Sequence, residues 1–91
     1  MKHNIYFDGK VQSLGLKTAE GNATVGVISQ GKFTFSTSSE ERMIVTSGTL
    51  MVKLPGKNWK PMGRNSEWVV PANSSFDVEA EADVSYICYY K

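Results

Sequence analysis

The sequence contains one cysteine, one histidine and no long apolar run, and each scarcity excludes a class of protein. A single cysteine, Cys88, cannot form a disulfide within the chain, and its place in an apolar run favours a small buried side chain. No segment approaches the ~20 apolar residues that span a bilayer. The first residues lack the apolar stretch of a signal peptide, so we expect a cytoplasmic protein with no membrane partner.

The chain also lacks an excess of either positive or negative charge. Ten basic residues are balanced by nine acidic ones, for a formal net charge of +1. Proteins that bind nucleic acids usually carry a basic stripe that displaces counterions from phosphates. The nearest cluster here runs from Lys53 to Arg64 and is more typical of a solvated loop. We therefore expect no nucleic-acid partner.

The alternation of apolar and polar residues predicts a single all-β domain over residues 1–91. Apolar residues recur with period two, as in Phe33 and Phe35, and glycines separate the runs. About eight short strands with no helix are typical of a sandwich or a small barrel. A domain of this size gains modest stability from its own core, so we also expect a homodimer.

Two hairpins are predicted in the second half of the chain. Residues 42–54 fold around Ser47-Gly48, and the last hairpin pairs residues 76–79 with residues 84–90 through a turn at 81–83. Both predictions rest on turn-forming residues between two apolar runs.

Two stretches have the spacing of the paired cupin motifs, which predicts a cupin (RmlC-like) barrel or jelly roll. Glu41 stands seven residues before Gly48, as the acidic ligand of a metal-binding cupin does, and Pro71 stands where the second motif has its proline. The histidine positions of the metal site are filled by Phe35, Thr37 and Phe76. Phenylalanine cannot ligate a metal, so the sequence predicts a cupin without a metal or another cofactor.

Asparagine replaces glycine at two turns of these motifs. Asn65 and Asn73 stand where cupins usually have glycine. Asparagine tolerates the left-handed backbone conformation better than other non-glycine residues, so we expect both turns to survive.

At a finer level the chain resembles one family of small cupins, the pyrimidine/purine nucleoside phosphorylases. The resemblance is carried by the Phe-Thr-Phe-Ser-Thr group at residues 33–37, by the Met-x-Val-x-Ser-Gly-x-Leu group at residues 43–50, and by matches along nearly the whole chain. It implies an enzyme that cleaves purine and pyrimidine nucleosides with inorganic phosphate, releasing the free base and a pentose 1-phosphate. Nucleoside and phosphate are then the partners of the protein, and no metal is required.

Residue parity selects candidates for such a site. Phe35, Thr37 and Glu41 share one strand face if no bulge intervenes, and Glu41 is the strongest catalytic candidate, as a carboxylate for the ribose hydroxyls or the base edge. A surface glutamate in a polar turn is the competing interpretation. The predicted substrate-binding residues supply hydroxyls or amides for phosphate, a guanidinium for bidentate phosphate binding, and aromatic rings for stacking on a base. They are Phe35, Ser36, Thr37, Arg42, Phe76, Tyr86 and Tyr90.

Each of these residues also has an ordinary structural interpretation. Aromatic residues usually pack in a core, and a run of serine and threonine usually forms a polar turn. Two other functions stay open at this point: a non-enzymatic cupin that binds a small metabolite, and a structural dimerisation barrel. A phosphorylase releases base only when phosphate is present, whereas a binding protein is stabilised by its ligand without turnover.

Overall fold

The computed structural model describes all 91 residues and is built almost entirely of β-strands. There is no α-helix, and so no helix that could cross a membrane. A short 3-10 turn over Phe7–Gly9 follows the first strand. The ten strands are β1 (His3–Tyr6), β2 (Val11–Thr18), β3 (Gly21–Ile28), β4 (Gly31–Ser36), β5 (Glu41–Ser47), β6 (Leu50–Lys53), β7 (Lys60–Met62), β8 (Glu67–Val70), β9 (Ser75–Ala80) and β10 (Val84–Tyr90).

The strands form two antiparallel sheets that face one another. The larger sheet has the order β1-β2-β3-β10-β5-β8, and the smaller one has the order β4-β9-β6-β7. Strand β10 therefore lies in the middle of the larger sheet, between β3 and β5. This is the all-β sandwich expected of a cupin jelly roll, with ten strands rather than about eight.

The core lies between the two sheets because most strands alternate an inward apolar residue with an outward one, whereas the edge strand β1 has no buried residue. Sixteen buried residues form one continuous cluster. Val45 from the larger sheet and Val52 and Val78 from the smaller one are almost inaccessible to solvent. One continuous cluster of this kind is what a single domain requires.

Both predicted hairpins are wrong. Strand β5 pairs with β10 and β8, whereas β6 pairs with β9 and β7, so the chain changes sheet at Ser47-Gly48. The chain changes sheet again between β9 and β10, at residues 81–83. The two bends pack together: a Cβ on Gly48, which has φ +87°, would lie 2.9 Å from the carbonyl oxygen of Asp83. Gly48 therefore permits a close backbone approach and does not form a hairpin turn.

The two turn asparagines adopt the conformation that the sequence predicted. Asn65 has φ 69° and Asn73 has φ 56°, both in the left-handed region. Asn65 also donates its backbone N–H to the carbonyl of Val45 at 2.8 Å, which fixes the turn that leads into β8. Both asparagines therefore adopt the backbone conformation that glycine would otherwise supply at these turns.

Candidate functional site

A cavity of about 420 Å³ opens between the two sheets, at the end where the 3-10 turn over Phe7–Gly9 lies. The smaller sheet contributes residues of β4, and the larger sheet contributes residues of β5 and β10. Eight of the twelve lining residues are hydrophobic, a typical composition for a small-molecule pocket. The lining residues are Tyr6, Phe7, Val11, Thr34, Phe35, Ser36, Ser38, Glu41, Met43, Tyr86, Cys88 and Tyr90.

Stacked aromatic rings form one wall of the cavity. The ring of Phe35 lies 6.0 Å from that of Phe7 in a stacked arrangement and 5.5 Å from that of Phe76 in an edge-to-face arrangement. Phe7 also contacts Phe33, with 4.9 Å between centroids. Such pairs hold each ring in place, so the wall offers a fixed apolar surface to a planar ligand.

The carboxyl group of Glu41 is the charged group of this cavity. It begins β5, is half-buried, and accepts a hydrogen bond from the Cys88 thiol, with 3.4 Å between Sγ and Oε1. Burial raises the pKa of Glu41 above its ordinary value, and the bond from Cys88 offsets this only in part. A carboxyl group in this position can both accept hydrogen bonds and carry a proton near neutral pH more readily than an exposed one.

Hydroxyl groups of β10 lie beside this carboxyl. The hydroxyl of Tyr90 is 3.0 Å from Oγ1 of Thr24 on β3. Burial is also the main reason that the pKa values of Tyr86, Cys88 and Tyr90 are all raised, so these groups stay protonated at neutral pH. They are therefore hydrogen-bonding groups and not nucleophiles.

The structure brings five of the eight predicted residues into this cavity. They are Glu41, Phe35, Ser36, Tyr86 and Tyr90. Glu41 is consequently not the exposed residue of a polar turn that the competing interpretation assumed. The prediction that Phe35, Thr37 and Glu41 share one strand face is wrong, because Phe35 lies on β4 of the smaller sheet, Glu41 begins β5 of the larger sheet, and Thr37 lies between the two strands. Parity applies only within β5, where Glu41 and Met43 both face the cavity.

Arg42 lies outside the cavity. Its guanidinium forms ion pairs with Glu20 at 3.0 Å and Glu67 at 3.1 Å, and it stacks over the ring of Tyr89. As the neighbour of Glu41 in a strand, it projects from the opposite face of the sheet. The prediction that Arg42 binds phosphate is not supported by this placement.

Thr37 and Phe76 also lie outside the cavity lining. The hydroxyl of Thr37 donates to the carbonyl of Pro71 at 2.7 Å and accepts from the backbone N–H of Ser74 at 2.9 Å, so it joins two loops. Phe76 is 2% exposed and supports Phe35 from behind. Both side chains have structural roles, and Phe76 acts on the cavity only through Phe35.

Several lining residues were not predicted from the sequence. Phe7 is one of them, and it adopts φ 52°, a left-handed conformation that is uncommon for a bulky residue. Cys88 was expected to be an inert buried residue, yet its thiol contacts Glu41. Tyr6 and Phe7 lie outside the two residue groups named for the family resemblance, and nothing in their residue types indicated that a turn would bring them to the cavity.

The fold does not bring together a set of side chains that could ligate a metal ion. No group of three or more His, Cys, Asp or Glu side chains lies close enough together to hold a metal ion. His3 lies on the edge strand β1, where its Nε2 is 2.9 Å from Oε1 of Gln12. The absence of a metal and other cofactors stays a prediction, founded on the residues at the cupin ligand positions.

A family model and curated relatives both match this chain over nearly its whole length. A family model described as pyrimidine/purine nucleoside phosphorylase matches residues 1–90. A pyrimidine/purine nucleoside phosphorylase of Pseudomonas fluorescens (strain Pf0-1) is 46% identical over 91 residues, which cover 99% of this chain and 97% of the relative.

Solved structures support the same fold. A protein of unknown function from Vibrio parahaemolyticus has a TM-score of 0.93 at 37% identity, covering 99% of this chain and 97% of that one. An RmlC-like cupin from Shewanella frigidimarina has a TM-score of 0.73 at 12% identity, covering 96% and 79% of the two chains. The second likeness concerns the fold alone, and it shows that the sandwich has the RmlC-like cupin fold.

Proposed function

This chain belongs to the pyrimidine/purine nucleoside phosphorylase family, and from that premise we propose that it cleaves purine and pyrimidine nucleosides with inorganic phosphate. The observation that carries the proposal is the half-buried carboxyl of Glu41 inside a cavity walled by aromatic rings. A nucleoside has a planar base and a hydroxyl-rich sugar, and this cavity offers complementary surfaces to both. The products are the free base and a pentose 1-phosphate.

The reaction exchanges one bond at the anomeric carbon for another. A phosphate oxygen forms a bond to C1′ of the pentose, and the bond from C1′ to the base nitrogen breaks. The electron pair of that bond leaves with the base, which then takes up a proton. Positive charge develops on the sugar and negative charge on the base, so groups that hydrogen-bond or protonate the base lower the barrier.

We assign Glu41 as the general acid that protonates the departing nucleobase. Because burial raises its pKa, a larger share of its carboxyl groups carries a proton at neutral pH than in an exposed glutamate. The protonated carboxyl donates to the departing base and transfers the proton as the glycosidic bond breaks. The thiol of Cys88 fixes the orientation of this carboxyl through its hydrogen bond to Oε1.

The aromatic and hydroxyl groups of the cavity position the nucleoside. Phe35 and Phe7 offer a ring surface on which either a purine or a pyrimidine can stack, because stacking does not distinguish between them. Ser36 and Ser38 line the same cavity and can hydrogen-bond the sugar. A site built on stacking and a few hydroxyls favours broad specificity, so we extend the proposal to both classes of base.

Phosphate-dependent release of base is the direct test. Purified protein incubated with uridine, cytidine, adenosine, guanosine and inosine is expected to release free base only when inorganic phosphate is present, as followed by liquid chromatography. A pentose 1-phosphate should appear in equal amount. If no nucleoside of the panel releases base with phosphate, the proposal is wrong, and thermal stabilisation by a nucleoside without turnover would then favour the binding-protein alternative.

A homodimer formed through the outer face of the larger sheet completes the proposal. Val25 and Val27 on β3 are 46% and 47% exposed there, and Leu14 pairs with Val25 across the neighbouring strand. An exposed apolar patch on a domain of 91 residues is typical of an interface. A second copy can cover it symmetrically, since the same face is offered by both protomers. The cytoplasmic location expected from the sequence is part of the same proposal.

Substitution of Val25 with glutamate is expected to convert this dimer into a monomer. The added charge would lie in the middle of the apolar face and would lose its hydration on association. Sedimentation velocity at micromolar concentration measures the change. Met51→Glu is the matched control, because Met51 lies on β6 of the smaller sheet. A wild-type monomer, or a Val25→Glu variant that stays dimeric, contradicts the proposed interface.

A further inference from the structure

The cavity that would hold the nucleoside has no positive charge to match phosphate. None of its twelve lining residues is lysine, arginine or histidine, and its one charged side chain, Glu41, is acidic. A phosphate anion placed against this carboxyl would be repelled whenever the carboxyl is ionised. Arg42, which has the chemistry for phosphate, is paired with two glutamates outside the cavity. Any cationic side chain that holds phosphate therefore lies outside this cavity.

A second cleft adjoins the cavity and shares two residues with it. This cleft has a volume of about 690 Å³, and Tyr6 and Tyr90 line both spaces. Among its eleven lining residues are Lys2 and Lys17, and none of the eleven is acidic. Asn4 and Asn22 add amide groups. The two tyrosines thus lie between a cavity that contains a carboxyl and a cleft that contains two lysines.

Strand pairing places both lysines on the inner face of the larger sheet. The backbone N–H of Gly15 donates to the carbonyl of Lys2 at 2.8 Å, and the Cβ of Lys2 lies 3.7 Å from the position a Gly15 Cβ would occupy. Because Gly15 has no side chain, Lys2 can lie over it. Lys17 pairs with Asn22 across β2 and β3, two residues beyond Gly15 on the same strand face.

Neither lysine is neutralised by a carboxylate. The three ion pairs of the molecule involve Arg42 with Glu20, Arg42 with Glu67, and Lys91 with Glu40. Glu20, the acidic residue nearest to Lys17 in sequence, is engaged by Arg42. The cleft therefore keeps its positive charge, and such a concave surface attracts anions and concentrates them.

We propose that this second cleft is the inorganic phosphate site, with Lys2 and Lys17 holding the phosphate beside the Tyr6–Tyr90 boundary of the nucleoside cavity. The assignment rests on the proposed phosphorylase function and adds the location of the co-substrate. Two phosphate oxygens accept hydrogen bonds from the lysine ammonium groups. A third oxygen points between the two tyrosines toward the cavity, and the proposal places the anomeric carbon of the nucleoside at this boundary, within direct reach of that oxygen.

Steady-state kinetics on the double variant Lys2→Gln/Lys17→Gln test the assignment. Each lysine is expected to contribute about tenfold, which is typical of one hydrogen bond to a charged group. The KM for phosphate should therefore rise about a hundredfold, while the KM for uridine changes little. Lys10→Gln/Lys57→Gln is the matched control, because it removes the same charge from residues that line neither space. Arg42→Gln tests whether Arg42, the arginine that the sequence predicted to bind phosphate, holds the phosphate instead.

A phosphate titration followed by ³¹P NMR makes the test independent of catalysis. Line broadening of phosphate by the wild-type protein, lost in the Lys2→Gln/Lys17→Gln variant and kept in the control, supports the cleft even if no nucleoside is cleaved. An unchanged phosphate KM together with unchanged line broadening in the double variant overturns the assignment. An equal loss in Lys10→Gln/Lys57→Gln, or a loss confined to Arg42→Gln, overturns it as well.

Discussion

Replacing Glu41 with glutamine is expected to lower kcat for phosphorolysis by about 10²–10⁴-fold, the range over which general acids contribute to catalysis. Glutamine has nearly the same shape as glutamic acid and can still accept the hydrogen bond from Cys88. It cannot transfer a proton to the departing base. The loss should therefore appear in kcat far more than in the KM for nucleoside, as measured by initial rates over a range of uridine concentrations.

The same substitution should remove a loss of stability that the wild-type protein shows as the pH rises. Because the pKa of Glu41 in the folded protein lies above its ordinary value of 4.5, the folded state binds this proton more tightly than the unfolded state. The wild-type protein therefore loses stability as the pH rises from 4.5 through the folded pKa, and Glu41→Gln does not. The difference in Tm should be absent below pH 4.5 and should favour the variant at neutral pH.

Glu40 provides the control for both measurements. It is the preceding residue, and its carboxylate forms an ion pair with Lys91 at 3.5 Å on the surface. Glu40→Gln should keep the wild-type kcat and the wild-type dependence of Tm on pH, since exposed pairs of this kind contribute little. Retained turnover in Glu41→Gln would remove Glu41 from the chemistry, and a wild-type protein whose activity rises with pH through the Glu41 titration would contradict its role as an acid.

Replacing Gly26 with alanine is expected to destabilise the fold by about 1–3 kcal/mol and to raise the KM for nucleoside, because it overfills the space beside Tyr86. Gly26 pairs with Tyr86 across β3 and β10, and the tyrosine ring covers the glycine. A Cβ on Gly26 would lie 2.5 Å from the hydroxyl oxygen of Tyr86 and 2.6 Å from its Cζ. The ring must move, and it lines the cavity.

Two further variants make this result specific. A Cβ on Gly63 would meet only Oγ1 of Thr49, at 3.9 Å, so Gly63→Ala should leave both Tm and KM close to wild type. In a Tyr86→Ala background the clash is absent, and Gly26→Ala should then cost little. Thermal unfolding of the two single variants and the double variant gives the coupling energy directly. Additive effects of the two substitutions would show that the ring of Tyr86 is not what Gly26 accommodates.

Local features of the fold were predictable because they depend on local chemistry. The period-two alternation identified strands, and the left-handed turns at Asn65 and Asn73 followed from the properties of asparagine. Sheet membership was not predictable, since a bend such as Ser47-Gly48 has the same residue types whether it closes a hairpin or leads to the other sheet. What distinguishes the two is the packing of Gly48 against Asp83, a contact between residues distant in sequence.

In the candidate site, too, features set within one strand were predictable, and contacts between distant residues were not. Parity along β5 placed Glu41 inward, and it also excludes Arg42, whose side chain must project from the opposite face. The roles of Thr37 and Phe76 could not be inferred in this way, because their contacts with Pro71 and Phe35 join separate strands and loops. The inward position of Lys17 depends on its pairing with Asn22 of β3, which residue types alone do not indicate.

The central position of β10 has a consequence for how the protein is made. The β1-β2-β3 meander and the β5-β8 pair meet only through β10, which is synthesised after the other nine strands. Until then both halves expose an unpaired strand edge, and such edges associate readily with other chains. Pairings between residues far apart in sequence also form slowly. We therefore expect the larger sheet to close only once β10 has been made, and we expect the risk of aggregation to be greatest before this closure.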